Sequence, residues 1–329
     1  MGELVMKRGR IRNKDFKSVL SRFSKDYAAV VAILFMSIFF SFASPYFLTG
    51  QNLKNILLQS SALAIVAMGQ ALITISGQFD LSLGQNVYLT SAVAAYMMKF
   101  FGVNPWIAIL AALLLGCIIG LTNGVLFAYF GLPAFVATLG LQMICKSLAK
   151  IITNATPISR LPQDIAFIGR GYIGVVPICV IIMIGLYIAM QFITRRTKLG
   201  RNIYAIGGGP EAAFFAGIQT KKYYCITFML GGLLAALGGV ILMSRLDSVS
   251  VTSGNLYEFD AIIACVVGGL SMTGGKGKIV GAMFGTIFLV MFFNGMSMLN
   301  VDPFYQDAIK GVVLVAAITV DVFRNKKRS

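Results

Sequence analysis

Apolar runs close to twenty residues long recur from Tyr27 to Phe323, and this repetition limits the chain to one fold class. A helix crossing a hydrocarbon core of roughly 30 Å needs about 20 mostly apolar residues. Of the 329 residues, 57% are hydrophobic and only 12% are charged, about half the charged fraction usual in a soluble domain. Every backbone polar group in lipid must be satisfied internally, so only helices and closed barrels span a membrane. The alternating ten-residue segments of a barrel are missing from the sequence. The expected fold is therefore an all-α polytopic membrane protein of about ten transmembrane helices.

The ten expected spans are Tyr27–Phe47, Leu53–Ser76, Leu81–Phe101, Trp106–Phe130, Pro133–Thr153, Ile173–Ile193, Tyr223–Ser244, Tyr257–Met272, Ile279–Leu299 and Phe304–Phe323. The eighth is short and glycine-rich, so a broken or re-entrant segment is expected there. Three regions follow: a basic N-terminal segment 1–26, a transmembrane domain 27–323 with a polar loop 194–222, and a basic tail 324–329. The first apolar run is read as an uncleaved span, because Ser41-Phe42-Ala43-Ser44 is a poor cleavage site.

Lys and Arg counts set the expected orientation. With the N-terminus in the cytoplasm, the cytoplasmic segments hold 20 of the 28 basic residues, eight of them before Asp26. The outer loops hold five: Lys54, Lys99, Arg160, Arg170 and Arg245. Lys146, Lys150 and Lys310 lie within spans. An N-in, C-in chain with an even number of spans is expected. Topology thus accounts for the net charge of +16, and no nucleic-acid partner is expected.

Catalytic chemistry has little to work with. Histidine is absent, so no Ser/His/Asp or Cys/His set exists. The five cysteines are scattered without a CxxC pair, so neither a metal site nor a disulfide framework is expected. Gly274-Gly275-Lys276-Gly277-Lys278 lacks the spacing of a phosphate-binding GxxxxGK[ST] loop. The chain is not expected to be an enzyme or to bind a cofactor.

Several polar residues interrupt the apolar runs. Asp80, in Gly77-Gln78-Phe79-Asp80-Leu81-Ser82-Leu83-Gly84, is the only acid between Asp26 and Asp164. Two compatible readings are open. Asp80 or Ser82 caps the helix that follows, or Gln78, Asp80 and Ser82 form a polar hinge lining a pathway. Asn123 and Asn294 are amides in apolar helices; interhelical hydrogen bonding and pore lining are both open. Lys310 stands one turn from Asp307, and an ion pair and a proton or ion relay are both open.

Two blocks, Leu53–Thr153 and Tyr223–Phe323, share an order of Asp, then Asn-Gly, then Pro. In the first, Asp80 falls at the cytoplasmic face; in the second, Asp260 falls at the outer face. An inverted repeat, a common transporter architecture, would produce this.

The island Thr197–Thr220 cannot lie in lipid cheaply, because it carries Lys198, Arg201 and Glu211. Charge counting places it in the cytoplasm between spans six and seven. It resembles the coupling loop of ABC-importer permeases. The resemblance extends over nearly the whole chain to the permease subunits of ribose/galactose/xylose-type ABC sugar importers. It is carried by GQFDLSLG at Gly77–Gly84, TNGVLFAYFGLPAFVATLG at Thr122–Gly140 and TKLGRNIYAIGGGPEAAFFAGI at Thr197–Ile218. YEFDAIIACVVGGLSMTGGKGKIVGA at Tyr257–Ala282 and DPFYQDAIKGVVLVAAITVD at Asp302–Asp321 continue it. Two departures stand out. The family commonly has glycine where this chain has Gln78, and asparagine where it has Gly209.

The resemblance implies a permease homodimer, or a heterodimer, in the plasma membrane of a prokaryote. It implies two cytosolic ATPase domains that use ATP and Mg, and an extracytoplasmic solute-binding protein. Arg201, Pro210, Glu211, Ala212, Ala213 and Gly217 would form the segment that docks on the ATPase, with Gly207-Gly208-Gly209 letting the chain turn into it. Gln78, Asp80, Ser82, Asn123 and Asn294 are the candidates for the translocation pathway. The implied function is import of a monosaccharide by alternating access. A nucleoside or sugar-derived signal molecule is the alternative cargo, and an ion- or proton-coupled carrier is the alternative class.

Overall fold

A computed structural model describes residues 28–326. The basic segment 1–26, Tyr27 of the first expected span and residues 327–329 of the tail lie outside the described residues. The described chain is overwhelmingly helical, as lipid requires.

The described chain opens with five helices: α1 (Ala28–Ala43), α2 (Gly50–Ile75), α3 (Leu83–Phe100), α4 (Pro105–Ala128) and α5 (Ala134–Thr153). A loop region follows, with β1 (Ile158–Ser159), a 3-10 turn, α6 (Ala166–Arg170), β2 (Tyr172–Ile173) and β3 (Val176–Pro177). Then come α7 (Ile178–Arg196), α8 (Lys198–Gly208), α9 (Pro210–Phe215), α10 (Thr220–Leu246), β4 (Ser248–Val249), α11 (Tyr257–Val267), α12 (Ile279–Met298) and α13 (Pro303–Lys326).

Among the described residues, seven helices are long and apolar enough to cross a membrane: α2, α4, α5, α7, α10, α12 and, within α13, Pro303–Asp321. The other three expected spans differ for visible reasons. Helix α1 is apolar, and its 16 residues are counted from Ala28, the first described residue. Helix α3 has 18 residues and carries Gln85, Asn86, Thr90 and Ser91, all buried. Helix α11 has only 11 residues and ends at the Gly268-Gly269 pair, which matches the broken segment expected there.

Helices α2 and α10 form the centre. Helix α10 packs on α4, α2 and α3, while α2 packs on α12, α11 and α7. Glycines set the closeness of these crossings. Gly116, Gly120 and Gly124 line one face of α4 at four-residue spacing. A Cβ on Gly120 would run into the Phe228 carbonyl, and one on Gly124 would lie 2.7 Å from the Cys225 Cα. Lipid supplies no hydrophobic drive between helices, so this small-residue packing provides the dispersion contact that holds them. The α2–α10 crossing follows the same rule, with Gly69 facing Gly231.

The periphery is different. The apolar stretch of α13 has no buried residue, and only about a fifth of that of α5 is buried. The loops that follow α5 and α10 are clasped together by the antiparallel pair β1–β4, with Ile158 opposite Val249. Asp247 reinforces the clasp: it accepts from the Leu161 N–H at 3.1 Å and pairs with Arg170 at 3.4 Å.

Candidate functional site

Gly77, two residues past the end of α2, closes the helix with a φ of +84°, which is open to glycine at little cost. The Gln78 N–H reaches back to the Ile73 carbonyl and the Gly77 N–H to that of Thr74, the bonding pattern of a Schellman motif. The chain then crosses five non-helical residues to the start of α3. Asp80, fully buried, lies in this gap. Its Oδ1 accepts from the Ser82 N–H at 2.7 Å and from the Ser82 hydroxyl at 2.6 Å. Asn123, from α4, donates to Asp80 Oδ2 at 3.2 Å and to Ser82 Oγ at 2.8 Å. Three of the sequence candidates therefore meet in one buried cluster. Asp80 performs the cap-like role, while the Ser82 side chain makes no capping bond of its own. Asn123 Oδ1 is buried with no partner among the described residues. Gln78, half-buried, stands at the edge of this gap, where its side chain approaches the Tyr224 hydroxyl.

Asn294 has other neighbours. It accepts from Asn52 Nδ2 at 2.9 Å, tying α12 to α2. Lys310 pairs with Asp307 at 3.7 Å and also with Asp260 of α11 at 3.5 Å. The second partner comes from another helix and is invisible to residue spacing.

The starts of α3 and α11 meet through glycines. A Cβ on Gly84 would collide with Glu258 Oε2, and one on Gly254 with the Gly84 carbonyl. Glu258 is buried, and its other oxygen accepts from Gln142 of α5 at 2.7 Å. Glu258 joins three helices, yet it was not singled out from the sequence. Its only visible sign was a second acid two residues before Asp260 in an apolar run.

The island folds as two short helices, α8 and α9. Thr197 caps α8, accepting the Gly200 N–H at 3.4 Å. Gly200, Ile203 and Ile206 are buried, and Arg201 points away, exposed. Gly207 and Gly208 belong to α8, and the chain turns at Gly209 alone, which corrects the expected three-glycine turn. Pro210 opens α9, whose Pro210, Glu211 and Ala212 are exposed. Ala213 turns inward onto Ile206 and Tyr224. Gly217, at φ +82°, closes α9 with a second Schellman pattern: Ile218 N–H to Ala213 and Gly217 N–H to Phe214.

Helix α8 is seated on the glycine turn between α11 and α12 and on the end of α2. The Tyr204 hydroxyl donates to the Gly277 carbonyl at 2.7 Å. The Gly275 N–H donates to the Ile75 carbonyl, the last of α2, at 2.8 Å. A Cβ on Gly207 would strike that same Ile75 carbonyl. The island, the end of α2 and the α11–α12 turn thus touch backbone to backbone, just before the gap that holds Asp80.

Residues 52–318 match the family model described as "Branched-chain amino acid transport system / permease component". The chain belongs to this permease family. It is similar to the ribose import permease protein of Escherichia coli strain K12, at 39% identity over 91% of this chain and 94% of that one. It is also similar to the D-allose transport system permease protein of the same strain, at 33% identity over 89% of each. The xylose transport system permease protein of Haemophilus influenzae is 31% identical over 92% of this chain and 97% of that one. No solved structure matches the chain. Family membership and seven apolar helices together make this permease a multi-pass membrane protein.

Two residues of the permease's island escaped the sequence reading. Phe214 and Phe215 are 64% and 85% exposed on α9. Adjacent aromatics inside a polar, basic segment were the available sign.

Proposed function

We propose that this permease is the transmembrane subunit of an ATP-driven importer that carries a monosaccharide of the ribose, allose and xylose class. The observation that carries the reading is full-length similarity to three sugar permeases. A solute-binding protein delivers the sugar at the outer surface formed by the clasped loops around β1 and β4. Partner ATPase subunits use ATP and Mg, and this chain hydrolyses nothing. The protein works as a permease dimer in the inner membrane of a bacterium, with both termini in the cytoplasm.

Within this reading, α8 and α9 are the coupling element. Arg201 and Glu211 offer charges to the motor, and Phe214 and Phe215 offer apolar knobs for a cleft. Ala213 and Gly217 hold the segment in shape. Motor closure pushes α8 against the Ile75 carbonyl and the Gly274-Gly275 turn. This moves the gap holding Gln78, Asp80, Ser82 and Asn123, while Asn294 clasps the outer ends of α2 and α12.

Reciprocal packing supports the inverted repeat of spans 2–5 and 7–10. Helix α2 packs on α11 and α12 of the second block, and α10 packs on α3 and α4 of the first. Exchange of the two blocks turns one set of contacts into the other.

Uptake by sealed vesicles tests the proposal. Labelled ribose or xylose should accumulate only with ATP, the ATPase and the binding protein. Uptake driven by a proton gradient without ATP would overturn it in favour of a carrier working alone.

A further inference from the structure

A cavity of about 370 Å³ opens among α2, α10, α11, α12 and α13, apart from the Asp80 cluster. Its polar wall consists of Gln59, Arg245, Tyr257, Asp260 and Lys310, and Phe293 adds an aromatic face among aliphatic residues. Two of these groups are buried and unsatisfied: Asp260 Oδ1 and Arg245 Nε have no hydrogen-bond partner among the described residues. Leaving such atoms bare costs about 1–3 kcal/mol each, and more when charged.

The chemistry of the wall narrows the ligand. Lys310 is held by Asp260 at 3.5 Å and by Asp307 at 3.7 Å. In the wall two cations, Arg245 and Lys310, stand against the carboxylate of Asp260, and Asp307, outside the wall, offsets Lys310 from behind. A charged ligand would meet no excess of opposite charge here. A ligand with many neutral hydroxyls finds acceptors on Asp260, donors on Arg245 and Lys310, and both on Gln59 and Tyr257. Phe293 offers apolar surface to the C–H face of a ring, with Lys310 Nζ already 5.0 Å from its centroid. The volume lies at the small end of the range for ligand pockets, which suits a monosaccharide and not an oligosaccharide.

We propose that this cavity is a recognition site for a single neutral, polyhydroxylated ring, with Asp260, Arg245 and Gln59 as its hydrogen-bonding contacts. The inference rests on the importer reading only for the identity of the solute; the site stands on its own geometry.

Leu246 also lines the cavity and is half exposed. The full-length permease carrying Leu246→Cys, purified in detergent, is labelled with a water-soluble maleimide; the wild-type chain measures background from the native cysteines. Millimolar ribose or xylose should slow labelling at least several-fold, whereas glutamate at equal concentration should not. Adding Asp260→Asn or Gln59→Ala should raise the sugar needed by about tenfold, the effect of one lost hydrogen bond. The Gln59 side chain is exposed, so its removal leaves folding intact. Absence of protection by either sugar overturns the site, as does protection that both variants leave unchanged. Protection that persists while vesicle uptake needs no ATP keeps the site and overturns the importer reading.

Discussion

Asp80 shows what a single buried carboxylate requires. Four donor contacts from Ser82 and Asn123 surround it, and all three side chains are fully buried. Asn123→Ala removes the donor that comes from another helix. It should destabilise the permease by about 1–3 kcal/mol, read as a lower thermal midpoint in detergent. An unchanged midpoint would show that Asp80 is satisfied without α4. Gly84→Ala tests the neighbouring contact. The added methyl must displace Glu258 and meets the Gly254 carbonyl at 2.6 Å. Overpacking of this kind costs about 1–3 kcal/mol, and the same melting experiment measures it. Asp80 and Asn123 were legible because polar residues in apolar helices are conspicuous. Glu258 was not, because its role depends on Gln142 and Gly84, which are remote in sequence.

At the scale of elements, the short helices α8 and α9 carry the sharpest expectations. Glu211 is exposed in the first turn of α9, where an acid suits the helix dipole. Glu211→Lys should abolish transport and weaken assembly with the ATPase while leaving the permease folded. Co-purification and vesicle uptake check this, and normal uptake would remove Glu211 from the coupling role. Gly207→Val acts one step further inward. Its side chain cannot fit against Ile75 and Gly275, so α8 must lift from its seat. The expected outcome is a permease that still binds its ATPase but transports poorly. Full transport would show that this backbone contact passes no force. The island's polar character was readable from Lys198, Arg201 and Glu211. Its division into two helices was not, because Gly207 and Gly208 read equally well as turn or helix.

For the whole molecule, the charge count makes a directional statement. Gly208→Cys and Thr252→Cys place single thiols at exposed positions on α8 and in the loop after β4. In intact cells an impermeant maleimide should label the second and spare the first; the reverse pattern would invert the topology.

The apolar repetition by itself determined that this chain is a helical membrane protein, because lipid leaves the backbone no other solution at that hydropathy. The family motifs were likewise present in the sequence. Tertiary structure alone decided which polar residues meet. Asn123 closes on Asp80, Asn294 on Asn52, and Lys310 on Asp260 as well as on Asp307. It also decided that Asp260 and Arg245 share a cavity. These pairings depend on how closely α2, α4, α10 and α12 approach and at what rotation. Glycine positions such as Gly120 and Gly69 set that distance through their partners on another helix, and a linear sequence does not name the partner.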